Sequence, residues 1–153
     1  MRYCKRCIQP DTRPGLYIND DGICGGCLYD EEMKSIDWDE RQKQLQTIAD
    51  EAKQKARENK SVYDCVIGVS GGKDSTFQVV RVLQLGMTPL CVTSTTCHLS
   101  EIGRLNIENI KNLGVDYVEF SPNKVVRRKL NRIGLEQVGD ISWPEHVGIF
   151  TIP

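Results

Sequence analysis

The sequence predicts an α/β fold, a parallel sheet with helices on both faces, preceded by a small cysteine-rich knuckle. Three observations lead there. From residue 61 onward, short apolar runs alternate with amphipathic ones in the order β-α-β-α-β-α, and right-handed crossovers turn that order into a parallel sheet. Ser70-Gly71-Gly72-Lys73-Asp74-Ser75 falls between the first apolar run and the first helical run. There, backbone N–H groups and a helix dipole converge on one spot. Two Cys-x-x-Cys pairs, Cys4/Cys7 and Cys24/Cys27, mark the N-terminal stretch.

Composition bounds the classes. The 153 residues hold one ordinary domain plus a small appendage, and 39% apolar with 27% charged residues suits a globular protein. No stretch has the length of a membrane span and no export signal leads the chain, so a cytoplasmic protein without membrane contact is expected. A net charge of −1 offers no global basic field, so no nucleic-acid partner is expected. Seven cysteines, an odd number, fit a reducing compartment and metal ligation better than disulfides.

The expected organisation is a knuckle over 1–35, a connecting helix over 36–60 and a nucleotide domain over 61–153. In the knuckle, the sixteen residues 8–23 separate the two cysteine pairs. This spacing suits a zinc site built from Cys4, Cys7, Cys24 and Cys27; two local disulfides or an iron–sulfur site are the alternatives. Leu16-Tyr17-Ile18, the turn Asn19-Asp20-Asp21-Gly22 and Ile23 predict a hairpin feeding the second pair. Gly25 and Gly26 are expected to relieve crowding beneath the metal. Four thiolates leave no open coordination position, so the zinc is expected to be structural.

In the connecting helix, Asp37 is the expected N-cap with Glu40 at N3, and Leu45, Ile48, Ala49, Ala52 and Ala56 share one face. Val62–Val69, broken only by Asp64, reads as a buried strand. A helix with Phe77, Val79, Val80, Val82, Leu83 and Leu85 follows and ends at Gly86. Pro89–Thr93 is the second strand. Ser100 caps a helix from Glu101 to Leu113 with Ile102, Leu105, Ile107, Ile110 and Leu113 on its apolar side. Val115–Phe120 is the third strand, and Asn123 caps a helix carrying Val125, Val126, Leu130 and Ile133. No closing strand or terminal helix is legible, so the chain is expected to be the first part of a longer protein.

The glycine loop departs from the Gly-x-x-x-x-Gly-Lys-[Ser/Thr] pattern, because Asp74 follows Lys73 and the upstream glycine is too close. A carboxylate beside a polyphosphate needs a cation between them, so Asp74 points to Mg²⁺. Gly71 and Gly72 permit close backbone approach, Ser70 and Ser75 offer hydroxyls, and Lys73 adds charge. Lys73 and Asp74 are the candidate catalytic residues.

At these residues the chain resembles the PP-loop ATP pyrophosphatase superfamily, marked by Ser-Gly-Gly-x-Asp-Ser after the first strand. The resemblance implies an adenine-nucleotide α-hydrolase-like fold with a zinc-ribbon-like knuckle. It also implies ATP bound at Ser70–Ser75, with adenine near Val92, Thr93 and Ser94. The cysteine module, Ile36-Asp37-Trp38, Gly103-Arg104-Leu105-Asn106, Arg128-Lys129-Leu130-Asn131, Gly139-Asp140 and Trp143-Pro144-Glu145 narrow it. Their order is similar to that in the N-acetyl sugar amidotransferases of surface-polysaccharide, lipopolysaccharide and nonulosonic-acid pathways. That family implies ATP, Mg²⁺ and Zn²⁺. Its substrate is an N-acetyl sugar, expected to be nucleotide-linked, whose acetamido oxygen is adenylated before ammonia displaces AMP to give an acetamidino sugar. A glutaminase subunit with a cyclase-like barrel is the implied ammonia source.

Other features carry two readings each. Cys97-His98 is a loop pair or a nucleotide contact. Arg127-Arg128-Lys129 and Arg132 are a phosphate patch or a solvated helix face. Asn106 is a poor helix former, so a polar contact is expected. Trp143 stacks on a sugar or packs. Cys65 and Cys91 read as small core residues. Two rival functions remain open. One is a PP-loop tRNA thiolation enzyme with an N-terminal zinc module, against which the absent basic patch argues. The other is a non-catalytic nucleotide-binding module, against which Asp74 argues.

Overall fold

The computed structural model describes residues 1–95 and 99–153. Along them run α1 (Gly25–Lys34), α2 (Trp38–Glu58), β1 (Cys65–Gly68), α3 (Lys73–Gln84), β2 (Pro89–Ser94), α4 (Glu101–Lys111), β3 (Asp116–Phe120), α5 (Lys124–Val138) and α6 (Trp143–Thr151). They form two compact units, 1–45 and 46–153, divided within α2. Among the described residues no helix is long and apolar enough to cross a membrane.

The first unit has little regular structure. The expected hairpin is reduced to a single antiparallel bridge, Ile18 to Cys24, with a second bridge from Tyr3 to Pro10. The turn itself forms. Gly22 N–H donates to Asn19 O at 3.0 Å, Ile23 N–H donates to Asn19 Oδ1 at 2.8 Å, and Gly22 takes φ +83°. The ladder stops at Cys24 because that residue is already the N-cap of α1, a helix absent from the sequence expectation. Cys4, Ile18 and Cys24 are the buried centre, with Leu16 and Cys27 against them.

In α2, Glu40 N–H donates to Asp37 Oδ1 at 2.9 Å, the expected cap. The buried stripe is narrower than expected. Ala49 and Ala56 are buried, whereas Leu45 and Ile48 are exposed. Lys53 Nζ donates to Leu85 O at 3.1 Å and joins the later part of α2 to the end of α3.

The second unit is a three-stranded parallel sheet in the order β1-β2-β3, with Ile67, Cys91 and Tyr117 in register. Two crossovers of one hand that step in the same direction put α3 and α4 on one face. That face holds the core of Ile67, Val69, Val79, Cys91 and Ile110. Alternation puts Gly68 and Ser94 on the other face, where α6 comes close. A Cβ on Gly148 would lie 3.0 Å from Ser94 Oγ, and one on Gly68 would lie 3.4 Å from Pro153 Cγ.

Three corrections follow from this layering. The continuous buried strand expected over Val62–Val69 is four residues long, with Val62 and Val66 exposed, because β1 is a sheet edge rather than the centre. Its one polar member has a use: Asp64 Oδ2 accepts from Thr88 N–H at 2.7 Å and pins the start of β2. The apolar helix sets shrink to Val79 and the C-cap Leu85 at α3 and to Ile107 and Ile110 in α4, while Phe77, Ile102 and Leu105 are exposed. A terminal helix does exist, α6, which opens with Pro144 in its first turn. The caps match expectation. Ser100 Oγ accepts from Gly103 N–H at 3.1 Å, and Asn123 Oδ1 accepts from Val125 and Val126 N–H.

Candidate functional site

The four cysteine sulfurs lie within 4.8 Å of one another. All four are free thiols. Cys4 Sγ is 3.9 Å from Cys27 Sγ, and Cys7 Sγ is 3.5 Å from Cys24 Sγ. A tetrahedral ion with Zn–S bonds of about 2.3 Å requires sulfurs about 3.8 Å apart, so the set fits a metal ion such as zinc. Local backbone builds it. Ile8 N–H donates to Cys4 O, which folds the first Cys-x-x-Cys back on itself, and α1 presents Cys24 and Cys27 from its first turn.

The electrostatics single out one sulfur. Cys4 is held down to about 6, first by the backbone at Cys7, with help from Cys24 N–H at 3.3 Å and Arg6 N–H at 3.4 Å. Cys27 is pushed up to about 12, first by its contact with the Cys7 thiol and then by burial. Between these two, Cys4 is the readier thiolate and Cys27 resists ionisation without a cation. The glycines act differently from expectation. A Cβ on Gly25 would meet Tyr17 Cε1 at 2.7 Å, whereas Gly26 has only an ordinary 3.8 Å contact with Cys24 Sγ. The close packing concerns an aromatic ring rather than the metal.

The second candidate site lies at the carboxyl ends of β1 and β2. Residues 70–72 form the turn and Gly72 is the N-cap of α3, with no side chain capping it. The first N–H groups of that helix have no intrahelical acceptor. Gly71 takes φ +78°, and a Cβ there would lie 3.2 Å from Asn106 Cβ and 3.5 Å from Gly103 O. Glycine is therefore required by conformation and by the approach of α4. Asn106 is beside the loop, a placement its low helix propensity only hinted at.

Hydroxyls brace the turn. Ser75 Oγ accepts from Ser70 N–H at 3.3 Å and donates to Gly72 O at 3.1 Å. Thr76 Oγ1 donates to the same carbonyl at 3.0 Å, and Ser70 Oγ accepts from Gly72 N–H at 3.4 Å. Lys73 Nζ and Asp74 Oδ1 are paired at 2.6 Å with both side chains about nine-tenths exposed (88% and 90%).

A cavity of about 210 Å³ opens beside this turn. Ser70, Val92, Thr93, Ser94, Leu99 and Ile149 line it. The loop serine and the three second-strand residues are thus brought onto one cavity. Thr93 is buried, and its Oγ1 donates to Val69 O at 2.5 Å, clamping the two strand ends. At the rim, Thr95 Oγ1 donates to Glu119 Oε1 at 2.8 Å and Arg104 Nη1 lies 3.3 Å from the same oxygen. The Thr95 hydroxyl, and then Arg104, hold the Glu119 carboxyl below the usual range. Sequence reasoning missed Leu99, Ile149 and the Thr95–Glu119–Arg104 link, since none carries a local pattern.

The remaining candidates separate. Cys97-His98 lies outside the described residues. Arg127 is drawn inward to Glu145 at 3.5 Å, and Arg132 pairs with Glu136 one turn along α5, so these two cations already have partners. Trp143 packs its Cβ near Gly134, which cannot carry a side chain because a Cβ would be 2.7 Å from Asp140 O. Burial pushes the Cys65 and Cys91 thiols up, and both belong to the core side of the sheet. No protein-family model matches the chain, and no curated protein matches it significantly.

Proposed function

We propose that this chain carries the nucleotide site of an ATP-dependent N-acetyl sugar amidotransferase with a PP-loop fold, and that its cysteine set holds a structural zinc. One observation carries the reading: Ser70 of the Ser-Gly-Gly-Lys-Asp-Ser loop shares a cavity with Val92, Thr93 and Ser94. A phosphate-binding turn and an apolar wall for a base on one cavity are the arrangement expected at strand carboxyl ends.

When bound, ATP would supply the adenylyl group and Mg²⁺ the charge that neutralises pyrophosphate. The chain's own residues position and neutralise. The first N–H groups of α3 and the Lys73 ammonium meet the phosphates. Asp74, already paired with Lys73, is the carboxylate that would hold Mg²⁺ beside the loop. Val92 and Thr93 shield the base, and the Thr93–Val69 bond keeps that wall at a fixed distance from the loop. No side-chain nucleophile is required, because the work is alignment of an acetamido oxygen with the α-phosphorus.

The test is incubation of the protein with ATP, Mg²⁺, ammonium and a UDP- or CMP-linked N-acetyl sugar. The expected products are AMP, pyrophosphate and a sugar whose mass falls by the difference between O and NH. Lys73→Ala should lower turnover by about 10²-fold. ADP and phosphate as the products would refute the scheme. AMP formed only with tRNA and a sulfur donor would replace it with thiolation.

A further inference from the structure

Helix α6 borders two cavities. Its Ile149 lines the first, together with Ser70, Val92 and Leu99. The second, of about 200 Å³, lies between the carboxyl end of β3, the first turns of α5 and α6. Ser94 borders both. The place of α6 therefore sets the shape of the first cavity.

Burial does not fix that place. No residue of α6 is buried, and Phe150 is 84% exposed. Nine residues are also too few for a helix to persist on propensity alone. What fixes α6 is a polar clasp with α5. Asn131 Nδ2 donates to both Glu145 oxygens at 2.9 Å and to Ile141 O at 2.5 Å. Glu145 sits in the first turn of α6 with its side chain only 13% exposed, and Arg127 Nε lies 3.5 Å from its Oε1. The connection between the helices is short and pinned. Gly139 ends α5 at φ +73°, and Asp140 Oδ1 accepts from the Ser142 N–H at 2.8 Å and its hydroxyl at 2.6 Å. A partly buried network of this kind is costly to break at any one member.

The clasp and the cavity wall are one helical turn apart. Gly148 and Ile149 follow Glu145 by three and four residues, about 6 Å along the axis at most. Gly148 seats that turn against the sheet, where a Cβ would lie 3.0 Å from Ser94 Oγ. We infer that Asn131 and Glu145 are positioning residues for the first cavity, and that Ile149, which they hold in place, is a further contact for the nucleotide base. A flat ring buries most of its surface only between two walls. Val92 on β2 is one wall, and Ile149 on α6 is the other. That the ring is a nucleotide base rests on the nucleotide reading of the Ser70–Ser75 loop; the clasp itself does not.

The test uses the full chain, with ATP and inorganic pyrophosphate as probes, read by titration calorimetry and methyl NMR. Pyrophosphate meets the loop and not the wall, so it reports on the loop and the fold. ATP should shift the Ile149 methyls and pyrophosphate should not. Ile149→Ala, at a half-exposed position, should weaken ATP about tenfold and leave pyrophosphate unchanged. Asn131→Asp sets two carboxylates against each other and should have the same pair of effects. Adding Glu145→Gln to it restores an amide–carboxylate pair with the roles exchanged, and should recover most of the lost affinity. ATP binding to Ile149→Ala at full affinity would overturn the inference. So would Asn131→Asp weakening both probes alike, or no recovery in the double variant. ATP that shifts Val92 but not Ile149, with AMP and pyrophosphate still formed, would overturn it and leave the proposed function standing. Clasp-dependent ATP binding in a protein that releases ADP and phosphate would do the reverse. An unaltered chain that binds no ATP would overturn both.

Discussion

The cysteine cluster and the strand-end turn are built in different ways. In the first, the ligands are the core. Cys4 and Cys24 are two of its three buried residues, and every ligand comes from residues 4–27. In the second, the loop is mounted on the cluster of Ile67, Val69, Val79, Cys91 and Ile110, which contains none of the candidate binding residues 70–75 and 92–94. Its parts come from 68 to 153. A site that is its own core fails when its ion leaves. A site mounted on a separate core keeps its fold when a binding group is lost, and fails when the core is cut.

The largest expected effect breaks the first half of that contrast. Chelation, or Cys24→Ala, removes a metal contribution on the order of 10 kcal/mol. Backbone amide signals of residues 1–34 should collapse to disordered positions while those of β1–β3 persist. Dispersed signals for residues 4–27 in excess chelator would show that the cysteines do not depend on an ion.

Cutting the core of the second unit comes next. Ile110 is fully buried between α4 and the sheet, so Ile110→Ala should cost about 3 kcal/mol, read from denaturant midpoints. Metal stoichiometry should not change. Loss of bound metal in that variant would mean the two units are not separable in energy.

Two positive-φ glycines sharpen the contrast between binding turn and plain turn. Gly86 has open space around its missing Cβ, while Gly71 has Asn106 at 3.2 Å. Gly86→Ala should cost about 1 kcal/mol through backbone conformation alone. Gly71→Ala should fall in the range of about 1–3 kcal/mol and weaken nucleotide binding as well. Equal costs with unchanged ATP affinity would remove the loop's special status.

The smallest effect is a pH dependence at the rim. Glu119 is held below the usual carboxylate range, first by the Thr95 hydroxyl and then by Arg104. A depressed folded value stabilises the native state above the unfolded pKa, and that contribution disappears as pH falls through the folded value. The Tm advantage of the native chain over Glu119→Gln should therefore be full near about pH 6 and shrink toward about pH 3. An advantage that grows on acidification would reverse the assigned sign.

Particular elements show what was legible beforehand. The caps Asp37, Ser100 and Asn123 are legible because each joins residues two or three apart, and the cysteine cluster is legible because its two Cys-x-x-Cys pairs mark themselves in the sequence although their sulfurs meet across 17 and 23 residues. The hairpin at 16–23 shrank to one bridge because Cys24 was taken by a helix. Val66 reads as core from its neighbours but is exposed, because exposure depends on which strand is central. Helix α6 was missed: its nine residues offer no strong apolar period, and it is held by Asn131 to Glu145 and by Gly148 against Ser94. Gly139 and Asp140, noticed only as a motif, are a left-handed helix end and a cap on Ser142 N–H at 2.8 Å.

The sequence by itself determined the four thiols, the strand–turn–helix that carries Ser70–Ser75, and the order of a parallel α/β sheet. These depend on local spacing, capping and periodicity, which act through neighbouring backbone. Tertiary structure alone decided that β2 is the central strand, that Thr93 clamps Val69, and that Ser94 borders two cavities. It also decided that Arg127 turns inward to Glu145 rather than outward as part of a basic patch. Those outcomes join residues far apart in the chain, and only the layering of helices on a sheet sets which of them meet.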